Sequence, residues 1–165
     1  MSNQADIALI KRQETELAFT EFNELVAHSL GERIRERALR EKLVIVVDIR
    51  TFDRQVYFMA LPGTTADNAE WVRRKFNLVR QVQKASYRAV LENSNGTDHF
   101  LPRRGLDNAD FVLAGGGFPI RVKGAGVIGC ITVSGLHERD DHQVAVDAIC
   151  EELGVDKASY ALPPL

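Results

Sequence analysis

Cysteine is scarce in this sequence, and its placement excludes both a disulfide framework and a metal finger. The two thiols, Cys130 and Cys150, have no His or Cys partner at metal-ligand spacing. Cys130 sits in an apolar strand-like run and Cys150 in a helical pattern, so both read as buried, unpaired thiols of a reducing compartment. Long apolar runs are missing as well, which leaves nothing to span a bilayer. The opening stretch MSNQADIALIKRQ lacks the basic start and apolar core of a signal peptide. These absences predict a cytoplasmic chain with no membrane partner. Nor is there an excess of charge of one sign: the net charge of −2 argues against generic nucleic-acid binding, which needs a basic face. Internal repeats and low-complexity segments are absent too.

What is present suits a single domain over 1–165. The 165 residues can bury a sizeable core, and 45% apolar with 27% charged residues is an ordinary soluble composition. From Asp6 to about Glu41 the pattern is helical: Phe22, Leu25, Val26 and Ser29, then Leu30, Ile34 and Ala38, follow helical spacing. Gly31 is expected to break or bend this run, giving two N-terminal helices over 1–41. LVIVVDIR (43–50) is rich in β-branched residues and apolar on both faces, which predicts a strand covered on both sides. QVYFMAL (55–61) predicts a second strand, and the short connection requires an antiparallel hairpin. Thr64 or Thr65 can cap a long helix over about 66–92, ended by the turn-forming NSNGT. Further strands are expected at Phe111–Leu113, at FPIRVK and at VIGCITVSG. A last helix covers about 140–153, and the tail 155–165 is expected to form a loosely packed arm.

Several motifs carry candidate chemistry. Gly124 to Gly129 matches G-x-G-x-x-G, but the residues after it alternate like a strand, so the glycines read as a hairpin turn and not a dinucleotide loop. Gly115, Gly116 and Gly117 can present N–H groups as an anion nest. Alternatively they mark a bulge where a ligand or another subunit's backbone comes close. Phe118 and Pro119 follow, with no P-loop lysine. Residues 97–110, TDHFLPRRGLDNAD, read as a surface loop in which His99, Arg103 and Arg104 can hold an anionic group. His137 and His142 flank three carboxylates. A metal site at His142 is one reading, and an acidic first helical turn is the favoured one. Arg73, Arg80, Lys84 and Arg88 form a basic stripe, either solvated or facing the acidic residues of another subunit.

FPIRVKGAGVIGCITVSGLHERDDHQVAVDAI, with DHFLPRRGLD and GGGFPI before it, resembles the GlcG/HbpS-like family, often labelled haem-degrading, and specifically its widespread uncharacterised branch. The resemblance covers most of residues 40–153. It implies a profilin-like α/β (α+β) domain, a three-layer α/β/α arrangement around a five-stranded antiparallel sheet. It further implies a homo-oligomer, with haem as the cofactor to consider. Members of that branch often place a histidine directly before the glycine run; here the position is Ala114, which leaves His99 and His142 as imidazole candidates. The expected function is a small-ligand-binding oligomeric domain, for haem or another anionic planar molecule. The ligand-binding candidates are His99, Arg103, Arg104, Gly115, Gly116, Gly117 and Phe118. The alternatives are a homo-oligomeric scaffold without a small ligand, and an enzyme that degrades haem or converts another small molecule. No catalytic residue can be named from spacing alone.

Overall fold

The computed structural model describes residues 3–94 and 97–165. In chain order the elements are α1 (Asn3–Glu16), β1 (Ala18–Phe19), α2 (Glu24–Glu41), β2 (Val46–Thr51), β3 (Gln55–Ala60), α3 (Ala66–Val82) and α4 (Ser86–Glu92). They continue with α5 (Thr97–Phe100), a 3₁₀ turn (Pro102–Arg104), β4 (Gly117–Val122), β5 (Gly126–Ser134), α6 (Glu138–Leu153) and a second 3₁₀ turn (Lys157–Tyr160).

Five strands form one sheet in the order β1-β4-β5-β2-β3. The three pairings among β2, β3, β4 and β5 are antiparallel, but β1 runs parallel to β4 through Ala18 opposite Arg121 and Phe19 opposite Val122. The sheet is therefore mixed, which corrects the expected all-antiparallel arrangement. The fifth strand also comes from an unexpected place. Phe111–Leu113 has no strand pairing, while Ala18–Phe19 sits inside the segment expected to be helical. The chain leaves the first helix at Leu17 and begins the second at Asn23, whose side chain caps α2 by accepting from the amides of Leu25 and Val26. Gly31 lies within α2 instead of breaking it. Its lack of a side chain makes room for the ring of Tyr57 on β3.

Period-two alternation places Ile131 and Val133 of β5 in the larger core, with Ile49, Phe118 and Ile120 and with Ala27, Leu30 and Ile34 of α2. Cys130, pointing the other way, packs with Phe76 and Val79 of α3. Helices thus cover both faces, as the two-sided apolarity of β2 requires. The expected helix over 66–92 is interrupted: Gln83 adopts the left-handed conformation (φ 58°) and closes α3, and α4 restarts at Ser86. Asn95 and Gly96, expected to end that helix, lie outside the described residues. Gly124 (φ 82°) and Gly126 (φ 81°) turn the β4–β5 hairpin, and a strand follows them, so this G-x-G-x-x-G has no helix N-terminus to offer a pyrophosphate.

The tail is no loose arm. Gln13 Nε2 donates to the Tyr160 carbonyl (2.7 Å), the Leu162 amide donates to Gln143 Oε1 (2.9 Å), and Leu162 itself is buried. The guanidinium of Arg139 holds the Pro163 carbonyl and, at 2.7 Å, Asp6 of α1.

Candidate functional site

Asp67, Trp71 and Lys75 follow one another at i, i+4 along α3, so the three side chains lie on one face of that helix. That face looks onto the end of β5 and the start of α6. Lys75 is only 3% exposed. Its ammonium donates to the Val133 carbonyl (3.1 Å) and to Asp141 Oδ2 (3.1 Å), joining α3, β5 and α6 at one point. Asp141 is equally buried; its other oxygen accepts from the Leu136 amide at 2.9 Å. Burial pushes the Lys75 ammonium down from its ordinary pKa while Asp141 holds it up. Burial likewise pushes the Asp141 carboxyl up, against the pull of Lys75.

The glycine run lies beneath this pair. Gly116, at φ 126°, accepts from the Val133 amide and brings its Cα under the Lys75 ammonium; a side chain there would collide with the Val133 carbonyl and with Lys75. Gly115 donates to Glu138 Oε2 (3.0 Å) and Gly117 to Ser86 Oγ (2.9 Å). The close approach that needs glycine is therefore made by the chain's own α3, β5 and α6. The anion received by the run is the carboxylate of Glu138. Beside the Lys75–Asp141 pair opens a cavity of about 280 Å³, walled by Asp67, Trp71, Lys75, Ala114, Ser134 and Glu138. Larger clefts exist, notably one of about 370 Å³ between the start of α6 and the tail. That cleft has no buried charged pair at its wall with a donor to spare, since Arg139 there is already spoken for.

The other residues singled out by sequence lie elsewhere. His99, Arg103 and Arg104 are exposed on α5 and the 3₁₀ turn. The segment is seated by Phe100 and Leu101 against Leu78 and Ala89, and Arg104 stacks over the Phe100 ring at 3.9 Å. No hydrogen bond or ion pair among the described residues joins these three to the glycine run. Phe118 is fully buried, edge-on to the ring of His142. His142 is also fully buried. Because Gln13 Nε2 donates to Tyr160, its amide oxygen faces His142, so the imidazole donates through Nε2 at 2.9 Å. Nδ1 has no partner, and burial, aided by Arg139, pushes this imidazole down to about 3. No three His, Cys, Asp or Glu side chains gather into a metal-holding group among the described residues. Of the basic stripe, Arg73 pairs with Glu70 and Asp110, Lys84 with Glu92, and Arg88 with Glu14 and Glu92. It is thus largely neutralised within the chain.

Sequence reasoning missed the Asp67–Trp71–Lys75 face. The available signal was a lysine set among Val72, Phe76 and Val79, inside the apolar stripe of an amphipathic helix. A charge at such a position needs a partner.

The sheet order, the two helical layers and the glycine-punctuated hairpin can be set beside known proteins. The family model described as "Haem degrading protein HbpS-like" matches residues 22–150. The chain belongs to the HbpS-like family. Among its relatives, a UPF0303 protein of Mesorhizobium japonicum is 53% identical over 157 residues, covering 95% of this chain and 94% of that one. Among solved structures, the Ybr137w protein superposes with a TM-score of 0.84 at 19% identity, over 93% of this chain and 91% of that one. A PduOC:heme complex gives 0.61 at 21% identity, over 85% and 99%. At these identities the structural matches establish the fold of this HbpS-like chain. No helix among the described residues is long and apolar enough to cross a membrane.

Proposed function

We propose that this HbpS-like chain is a small-ligand-binding domain that works as a homo-oligomer, and that its ligand enters the cavity walled by Lys75 and Glu138. One observation carries the reading. An ammonium group has three N–H donors, and Lys75 uses two of them within the fold. The third belongs to a nearly inaccessible charged group at a cavity wall, where an acceptor brought by a ligand is worth most.

Haem does not suit this cavity. Its wall has no His, Cys, Met or Tyr, the side chains that hold haem iron. Asp67 and Glu138 would also oppose propionate groups. A second reading places haem, or another anionic planar molecule, at the α5 segment, where the imidazole of His99 is exposed and Arg103 and Arg104 supply cations for propionates. The haem-bound state of the PduOC relative supports considering it.

Spectral titration with haemin separates the two. On the second reading the wild type binds haemin saturably, one per chain, and His99→Ala loses that binding while Lys75→Met retains it. On the first reading haemin shows no saturable binding that depends on His99. Thermal unfolding against a small-metabolite panel then finds a ligand that stabilises the wild type and not Lys75→Met, by about 3 kcal/mol at a hundredfold excess over Kd. A panel that never distinguishes the wild type from Lys75→Met contradicts the cavity reading.

A further inference from the structure

Resting on the cavity reading, we infer that the ligand is a small aminoacyl compound, with an ammonium group within a few bonds of a carbonyl. The cavity wall carries two kinds of polar group. One kind is donors: the unused N–H of Lys75 and the hydroxyl of Ser134, which makes no side-chain hydrogen bond among the described residues. Ser134 closes β5 and is 5% exposed, so its hydroxyl is held against the cavity and not bathed in bulk water. Two donors side by side suit a carbonyl or amide oxygen.

The other kind is acceptors. Glu138 spends Oε2 on the Gly115 amide and leaves Oε1 free. Asp67 spends Oδ2 on the indole N–H of Trp71 (3.2 Å) and leaves Oδ1 free. With Lys75 and Asp141 paired, these two carboxylates give the cavity a surplus of two negative charges. That surplus rejects a simple anion and favours an ammonium, which can donate to a free carboxylate oxygen. Size sets the remaining bound. About 280 Å³ is roughly nine times the share of a water molecule in the liquid, room for a compound of amino-acid size and not for a large planar ring.

The chain's single tryptophan, Trp71, lies in the cavity wall and reports occupancy directly. Fluorescence titration of the full-length protein uses glycinamide and L-alaninamide as probes, with L-alanine, ethylamine, acetamide and acetate for comparison. The expected result is saturable binding of an amide probe at least tenfold tighter than either half-molecule, ethylamine or acetamide. Asp67→Asn and Glu138→Gln each weaken it about tenfold, and Ser134→Ala weakens it severalfold. Asp67 is exposed, so Asp67→Asn keeps the test alive should a buried variant fail to fold. Equal binding of ethylamine overturns the aminoacyl class, and so does preferential binding of acetate. If either binds and Lys75→Met abolishes it, the cavity still binds ligands and only the class is wrong. If no probe in the panel perturbs Trp71, the aminoacyl class falls; if a probe binds and Lys75→Met changes nothing, the cavity reading falls with it.

Discussion

His142 carries a measurable consequence of being neutral in the core. It faces Gln13 of α1, Tyr87 of α4 and Phe118 of β4, with the Arg139 cation on its own helix opposing protonation. Its folded pKa of about 3 lies below the unfolded value near 6.5. Between those values the unfolded chain binds the extra proton. Stability contributed by the neutral imidazole is therefore complete above about pH 6.5 and is lost progressively as pH falls toward 3. Urea unfolding should show a loss of about 2 kcal/mol between pH 7 and pH 5 from this group, and His142→Leu should flatten that slope. An unchanged slope in the variant would show that the imidazole is hydrated or charged in the fold.

Among the elements, the glycine run and its neighbours can be probed by paired substitutions. Gly116→Ala puts a methyl group at φ 126° against the Val133 carbonyl and Lys75. It should destabilise by about 3 kcal/mol or more, combining overpacking with backbone strain. Gly105→Ala, at φ 67° with open space around it, carries strain alone and should cost about 1–2 kcal/mol. Equal costs, read from denaturant midpoints, would mean that the crowding at Gly116 relaxes easily. Much at this scale was legible in sequence. The two-faced apolarity of 43–50, the hairpin glycines and the acidic start of α6 each follow from local chemistry. The short β1 was not legible, because two residues carry no period, and Ala18–Phe19 becomes a strand only by pairing with Arg121 and Val122. The tail was misread for a similar reason. VDKASYALPPL has no pattern of its own, and its order comes from Gln13, Arg139 and Gln143 on distant elements. The candidate site was half legible: Gly115–Gly117 announced a close approach, while the partners that make it, Lys75 and Glu138, stood far away in sequence among ordinary helical residues.

Across the whole molecule, β3 is an edge of the sheet, and Phe58 on it is 47% exposed, with Leu25 of α2 exposed as well. An unprotected edge with an apolar side chain supports the proposed self-assembly. Light scattering should give a mass above that of one chain, shifted downward by Phe58→Lys; a strictly monomeric wild type would remove the homo-oligomer. The deeper claim concerns where a ligand sits on this fold. The family's haem label and the His99 loop draw attention to the α5 segment, seated on Leu78. The buried Lys75–Asp141 pair, with a donor to spare, stands instead at the wall of the cavity between α3, the end of β5 and the start of α6. Amide chemical-shift mapping during titration with L-alaninamide tests this most directly. Perturbations centred on Ala114, Gly135, Leu136 and the Trp71 indole are expected; shifts centred on 99–106, or none at all, would contradict the cavity site.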